Sequence, residues 1–542
     1  MLMQDTTGWE PVFWGIILAY LAFLAIAGWY AKKKTKTLED FMVAGRKIGP
    51  LMLGLSFGVT YFSAVMIVGG GQFSWLWGIG VVWVASIDVL VGVFLVFILF
   101  GNRTRALGKH FESLTVPQFL AKRYQEPKIQ TFTSVTILFF ETIYLVSIYM
   151  GLSLLLSVVM PGNPLAYYIA VMICGIITIF YLNVGGAHGA IWTDAVESVI
   201  MLVGVLCIFI FGIMAIGGFD AFLLKLGEVE AKEAGHGKLT TFPGAGGFGV
   251  IGYILVTSFG VWGMPQMITR FYTAEKKKAI RWGIVASVGW AFVVAIFAWF
   301  NGAIARAYFF ENPNHPGVYD DISAANGATA VPMLMVAVLP PILIGLFLAA
   351  ITAASLTTGE KVIMIAASGF SIDVYQVKTG ASDDRTLFIT KITTTVVVVV
   401  AVLLAFLNLG AVLAICMFAW SAMAATILIP YVFGLFWKGG TKKAVLWSGA
   451  AALISAILWF FLFRGARAWA AVGLAYPAAL GAIAATRIWS FGIVITIGSV
   501  HEFILSQLIA VLAFVVISKL TKGSKPSDEF LTEIFNVMKK SD

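Results

Sequence analysis

The sequence predicts an all-α polytopic membrane protein of the inverted-repeat class. Three observations carry that prediction: an extreme apolar composition, apolar runs of spanning length from one end to the other, and two glycine-interrupted runs five spans apart. Of 542 residues, 60% are hydrophobic and only 12% are charged. Soluble domains run nearer 45–50% and about 25%. Mean hydropathy is +0.94. No soluble stretch is long enough to fold alone, so length does not convert into several soluble domains here.

Apolar runs of about 20 residues give thirteen expected spans, at 11–31, 48–70, 74–101, 130–159, 164–184, 191–217, 246–264, 280–308, 340–373, 386–408, 410–437, 443–463 and 497–520. The first run lacks a small-residue cleavage site and reads as a retained helix, not a signal peptide. Between 464 and 496, "AWAAVGLAYPAALGAIAA" is apolar but broken by Gly and Pro. It reads as an outside loop with a partly embedded segment; a further hairpin is the alternative. Cys174, Cys207 and Cys416 all sit in apolar runs and read as small core residues.

Orientation follows from the basic residues. With the N-terminus outside, the cytoplasmic side holds "KKKTKTLEDFMVAGRK", "NRTRALGKHF", "KRYQEPK", "RFYTAEKKKAIR", "KGGTKK", the loop after Tyr375 and the tail 521–542. These carry about 28 of the 36 Lys and Arg residues, and the opposite loops about seven, so the prediction is N-out and C-in. The same asymmetry explains the net charge of +9 without a nucleic-acid partner. The partner it implies is the lipid bilayer of a cell membrane.

Two spans are not ordinary. "KIGPLMLGLSFGVTYFSAVMIVGGGQF" carries Gly58 and Thr60 mid-membrane and Gly69 to Gly71 near its outer end. "GGFGVIGYILVTSFGVWGMPQM" gathers Gly260, Gly263 and Pro265 toward its inner end. Gly and Pro loosen the helical ladder, and freed carbonyls and amides become ligands where they line a cavity. Interrupted helices at matching places in two halves point to an inverted-repeat transporter with a midplane site. Repeats at 48–217 and 246–437 follow, with 11–31 and 443–520 peripheral. Close helix packing through Gly is the alternative for each cluster taken alone.

Five stretches then become specific: "SLTVPQFLAKRY" (Ser113–Tyr124), "GGAHGAIWTDAVES" (Gly185–Ser198), "GMPQMITRF" (Gly263–Phe271), "LPPILIGLFLAAITAASLTT" (Leu339–Thr358) with "IDVY" (Ile372–Tyr375), and "FAWSAMAATILIPYVFGLFWK" (Phe418–Lys438). In this order and spacing they resemble the sodium:solute symporter family, and "TYFSAVMIVGGGQFSWLWGIG" is most similar to its pantothenate and proline permeases. The resemblance covers nearly the whole chain. It implies a LeuT-like fold of five plus five helices, thirteen transmembrane helices and sodium-driven uptake.

The resemblance also implies an ion site. By position in the family motifs, the Na+ ligands fall on the carbonyls of Val59, Phe62 and Ala354 and the hydroxyls of Thr357 and Thr358. Hydroxyls and carbonyls suit a hard cation, and the spacing of Ala354, Thr357 and Thr358 puts them on one helical face. The alternative is that both hydroxyls bond back to their own helix. Asp194, in "WTD", matches a family acid near the cytoplasmic ion exit; a helix N-cap is the other reading. No cofactor beyond Na+ as coupling ion is implied.

The chain departs from the family at Gly359, Glu360 and Lys361, and Glu197 stands where Gln is usual. Lys361 lies four residues beyond Thr357, about one turn to the cytoplasmic side of the ion site. A Lys there needs a carboxylate, so a Lys361–Glu197 or Lys361–Asp194 pair is expected to line the ion exit, with Glu360 facing another helix or snorkelling.

For the solute, the fold implies Tyr61, Ser63, Gln72, Trp75, Tyr144, Trp262, Gln266 and Trp420, with Glu141 either in the cavity or structurally paired. Tyr61 and Phe62 replace residues of the proline permease, which weakens proline as the solute. Half-helix N-termini favour an anionic group, so the expected passenger is a small organic acid, vitamin-like carboxylate or amino acid. The expected function is secondary active symport with Na+ and no enzymatic activity. Proton-coupled or ion-independent transport with Lys361 in the place of Na+ is the alternative. A sensor or a channel is more remote.

Overall fold

Prolines and the residues before them set where the spans start and break. In the computed structural model, which describes residues 15, 16, 18, 19, 22 and 38–541 apart from 64, 158, 159, 161, 162, 183–185, 236, 409, 410, 465–474, 491 and 492, helix α1 (Pro50–Tyr61) begins on Pro50 behind an extended Gly49. Its C-terminal neighbour Phe62 is extended, with φ −102° and ψ 116°. Helix α2 (Val65–Trp77) resumes the span at an angle of 51° to α1. The second span is therefore longer than expected. Its glycines sit inside α2: a Cβ on Gly70 would stand 2.8 Å from the Trp299 ring and one on Gly71 would stand 2.2 Å from Val331. The chain turns instead at Gly78, whose φ of +78° suits glycine. The third span, α3 (Ile79–His110), begins there and not at 74.

Helices α4 (Pro127–Ser157), α5 (Ala166–Leu182) and α6 (Gly186–Ile216) follow. The second break lies between α7 (Phe248–Gly263) and α8 (Pro265–Thr273), which meet at 46°. Met264 between them is extended, as a residue before Pro must be, and Pro265 opens α8 because the first turn needs no amide there. Then come α9 (Lys277–Phe309), α10 (Pro341–Thr379), α11 (Asp383–Phe406), α12 (Val412–Phe436), α13 (Lys442–Arg464) and α14 (Glu502–Leu520). Among the described residues, nine helices are long and apolar enough to cross a membrane, and the two bent pairs bring the number to eleven. Helix α5 is shorter, and most of the expected first span lies outside the described residues. The protein is a multi-pass membrane protein.

Burial sorts the helices. In the most apolar stretch of α12, 94% is buried, and in α10, 81%, against 28% for α6 and for α14. Helices α10 and α12 are thus the centre, and α6 and α14 show an apolar face outward. Helix α1 crosses α9 closely: a Cβ on Gly58 would stand 2.5 Å from the Trp290 ring. That glycine serves close packing. The three cysteines are free. In the stretch 464–496, the described residues form a short helix Ala478–Ala484 and an antiparallel pair, β1 (Arg487–Ser490) and β2 (Ile493–Thr496), in which Ile488 pairs with Ile495. Neither is long enough to span. The tail is ordered: α15 (Asp528–Ser541) buries Leu531, Ile534 and Met538, and Glu533 approaches His110 at 3.3 Å.

Candidate ion and solute site

The break after α1 frees the last carbonyls of that helix from the ladder. Phe62 still donates its amide to the carbonyl of Gly58 at 2.9 Å. The Val59 carbonyl instead accepts from the Thr358 hydroxyl of α10 at 3.1 Å. The same hydroxyl lies 2.9 Å from the carbonyl of Ala354. Thr357 also reaches the Ala354 carbonyl, at 3.2 Å, and its hydroxyl donates to Oε2 of Glu197 at 2.6 Å. Both threonines do bond back to their own helix, as membrane threonines usually do. Each also reaches a second helix, so four of the five expected ion ligands, Val59, Ala354, Thr357 and Thr358, converge. The fifth, Phe62, lies at the break itself. All are buried. Glu197 adds a carboxylate to the group.

One turn further along α10, Lys361 pairs with Asp194, and both side chains are buried. Of the two expected partners it is Asp194 that Lys361 touches; Glu197 turns to Thr357. Asp194 also accepts from Ser56 at 2.5 Å and faces Arg270 at 3.8 Å. Arg270 donates to the Thr60 hydroxyl at 3.0 Å, and Thr60 donates to the Ser56 carbonyl at 2.6 Å. Glu360 is fully buried within electrostatic reach of Arg270, so it faces another helix and does not snorkel. Arg270, Lys361, Gln266 and Met364 line a narrow cleft of about 40 Å³, space for a few waters. Arg270 and Ser56 were not singled out by the sequence reading. A buried Arg just after a Pro-broken span was the signal for the first; nothing marked the second.

A second polar group sits beside the break. The Tyr61 hydroxyl lies 2.6 Å from Asp88 and 3.0 Å from the Thr257 carbonyl of α7. Its ring stacks on Trp420 with centroids 5.3 Å apart, and Tyr144 meets Trp420 edge-on at 5.6 Å. The Ser63 hydroxyl lies near that of Tyr144. Glu141, one turn along α4 from Tyr144, is buried within electrostatic reach of Tyr144 and Cys416. Tyr61, Ser63, Glu141, Tyr144 and Trp420 thus come together, from α1, the break after it, α4 and α12.

The other expected solute residues lie elsewhere. Gln72 donates to the Asn326 carbonyl at 3.0 Å, and Trp75 packs on Tyr319 at 5.0 Å. These belong to the far end of α2, under the 318–326 segment, because α2 runs on past the glycines. Trp262 donates to the Val91 carbonyl at 3.0 Å and packs between Phe100 and Phe259. Gln266 lines the cleft beside Arg270 and Lys361, because the bend at Met264 carries α8 away from the aromatic group.

Comparisons with known proteins show the family and the fold. The family model described as "Sodium:solute symporter family" matches residues 41–451. The high-affinity proline transporter of Bacillus subtilis is 25% identical over 443 residues, covering 80% of this chain and 89% of its own. The sodium/proline symporter of Escherichia coli is 25% identical over 448 residues, covering 81% and 86%. A solved Na+-coupled sialic acid symporter superposes with a TM-score of 0.72 at 17% identity, covering 94% of this chain and 98% of that one. That likeness establishes the fold as the LeuT-like one.

Proposed function

The chain belongs to the sodium:solute symporter family, and from that premise we propose that it is a secondary active symporter carrying a small polar solute together with Na+ by alternating access. It is a transporter and not an enzyme. The observation that carries the ion assignment is the Thr358 hydroxyl, which stands within 3.1 Å of the Val59 carbonyl and 2.9 Å of the Ala354 carbonyl at once. Oxygens of three residues on two helices gather around one point, and oxygen ligands suit a hard cation. One of those helices is broken at the site. A cation there ties the broken span to α10, which is the contact that alternating access must make and release.

The passenger is a small carboxylate such as an organic acid or an amino acid; the proline symporters among the relatives support that class. The matching breaks at Phe62 and Met264 support repeats at 48–217 and 246–437. The basic loops support a cytoplasmic position for the Asp194–Lys361–Arg270 group and its cleft, as the exit of the ion. The reading in which Lys361 takes the place of Na+ is disfavoured, because its ammonium engages Asp194 and not the oxygens gathered by Thr358.

Uptake into proteoliposomes under an inward Na+ gradient tests the proposal, with choline replacing Na+ in the control. Undiminished uptake in choline would sink Na+ coupling. Loss of uptake in choline, together with a loss in Thr358→Ala, is the expected result.

A further inference from the structure

The ion site and the inner charge network leave one mid-membrane carboxylate without a task. Glu141 is fully buried, neither of its oxygens has a hydrogen-bond partner, and no basic side chain pairs with it among the described residues. The other acids of the interior have partners: Asp88 has Tyr61, Asp194 has Ser56 and Lys361, Glu197 has Thr357, Asp373 has Thr115 and Gln130, Glu502 has Arg464, and Glu360 lies within electrostatic reach of Arg270. An ionisable group left so in a membrane span is expensive and points to function.

Its surroundings specify what it would take. Tyr144 lies one turn away, and the Tyr144, Trp420 and Tyr61 rings form a continuous aromatic wall. The indole N–H of Trp420 is also buried without an acceptor. An acid that needs a cation and a donor that needs an acceptor therefore stand on α4 and α12, both near Tyr144. Electron-rich ring faces attract ammonium groups as well.

We propose that Glu141 is the amine-binding residue of the solute site, so that the passenger is an amino-acid-like zwitterion and not a simple organic acid. Glu141 takes the ammonium, the Tyr144 and Trp420 rings flank it, and the Trp420 N–H takes an acceptor oxygen of the same molecule. The cationic nitrogen neutralises the buried acid when the solute loads. This narrows the solute class of the proposed symport and rests on it.

The test uses the purified full chain in lipid nanodiscs with Na+ present. Thermal stabilisation is measured for pairs that differ only in the charged nitrogen: L-alanine against isobutyrate, L-proline against cyclopentanecarboxylate, and glycine betaine against tert-butylacetate. At least one amine is expected to bind about tenfold or more tighter than its partner. Glu141→Gln, nearly isosteric, is expected to erase that difference, and Glu141→Asp to keep part of it. The Na+-induced change in tryptophan fluorescence without solute reports folding and the ion site separately. Nitrogen-free acids binding as well as their amine partners, no amine surpassing its partner, or Glu141→Gln binding the amine as the parent does would each overturn the proposal. A parent protein with no Na+ response would count instead against the symport reading.

Discussion

Lys361 of α10 and Asp194 of α6 form a buried ion pair, and Arg270 of α8 stands on the same carboxylate at 3.8 Å. Three helices are thus joined through one acid. The members of the group are not equivalent. Asp194 faces two cations, so neutralising it leaves both Lys361 and Arg270 short of charge. Removing Lys361 leaves Asp194 still held by Ser56 and Arg270. Breaking a buried pair by removing one partner costs about 3–5 kcal/mol. Asp194→Asn should fall in that range, Lys361→Met below it, and the double variant should recover part of the Asp194→Asn loss. Thermal or denaturant unfolding of the three proteins in one detergent reads the cycle.

Glu197 gives the proposed ion site a carboxylate. It accepts the Thr357 hydroxyl at 2.6 Å, and a carboxylate acceptor strengthens such a bond relative to a neutral one. Glu197→Gln keeps an oxygen acceptor for Thr357 but removes a negative charge beside the proposed cation. The Na+ concentration for half-maximal uptake should rise by about tenfold, which corresponds to about 1.4 kcal/mol. Thr358→Ala removes an oxygen ligand outright and should raise it further. An unchanged Na+ dependence in Glu197→Gln would show that this carboxylate does not act on the ion.

How much of this was legible depended on whether the signal was local. Composition and apolar periodicity yield the spans, and the spacing of Ala354, Thr357 and Thr358 needs only one helix. The demand of Lys361 for a carboxylate was readable from burial alone, and Asp194 was one of two candidates. The choice between Asp194 and Glu197 was not readable. It is decided by the neighbours Ser56 and Arg270, which come from α1 and α8. Gln72 and Trp75 lie away from the aromatic group for a related reason. The reading took Gly69 to Gly71 as a helix end, whereas those glycines admit Trp299 and Val331 into the middle of α2. Small residues in membrane helices serve close packing as readily as they serve a break.

Gly58 shows the same point and can be tested. A Cβ at this position would lie 2.5 Å from the Trp290 ring. That ring is pinned by its N–H, which donates to the Ser198 carbonyl at 2.7 Å. Overpacking a tight contact of this kind costs about 1–3 kcal/mol. Gly58→Ala should destabilise the fold by that amount. It should also weaken Na+ binding, because Val59 is the next residue and its carbonyl moves with the helix. Trp290→Leu in the same chain should relieve the stability loss. A Gly58→Ala protein with parental stability would mean that α1 and α9 separate easily.

Outside the membrane, Glu230 organises the segment that covers the far end of α2. Its carboxylate accepts from the amides of Gly237, Leu239 and Thr240 at 2.5, 2.8 and 2.9 Å, and from the Thr240 hydroxyl at 2.8 Å. Leu239 in turn gives its carbonyl to the Ile79 amide at 2.9 Å, next to the turn at Gly78. Burial alone would raise the acid, but the Leu239 amide, the Thr240 hydroxyl and the other two amides outweigh it and bring its pKa down to about 2, from an ordinary 4.5. The ionised form therefore stabilises the segment at every pH above the ordinary value. That stabilisation fades as the pH falls from about 4.5 toward about 2. Hydrogen exchange at Gly237, Leu239 and Thr240 should stay slow at neutral pH and lose protection across that acid window, beyond the intrinsic pH effect on exchange. Glu230→Gln should exchange faster at neutral pH and show no such window. If both proteins follow the same profile, the four hydrogen bonds to Glu230 do not hold the segment, and its order comes from the packing of Leu239 against the Gly78 turn.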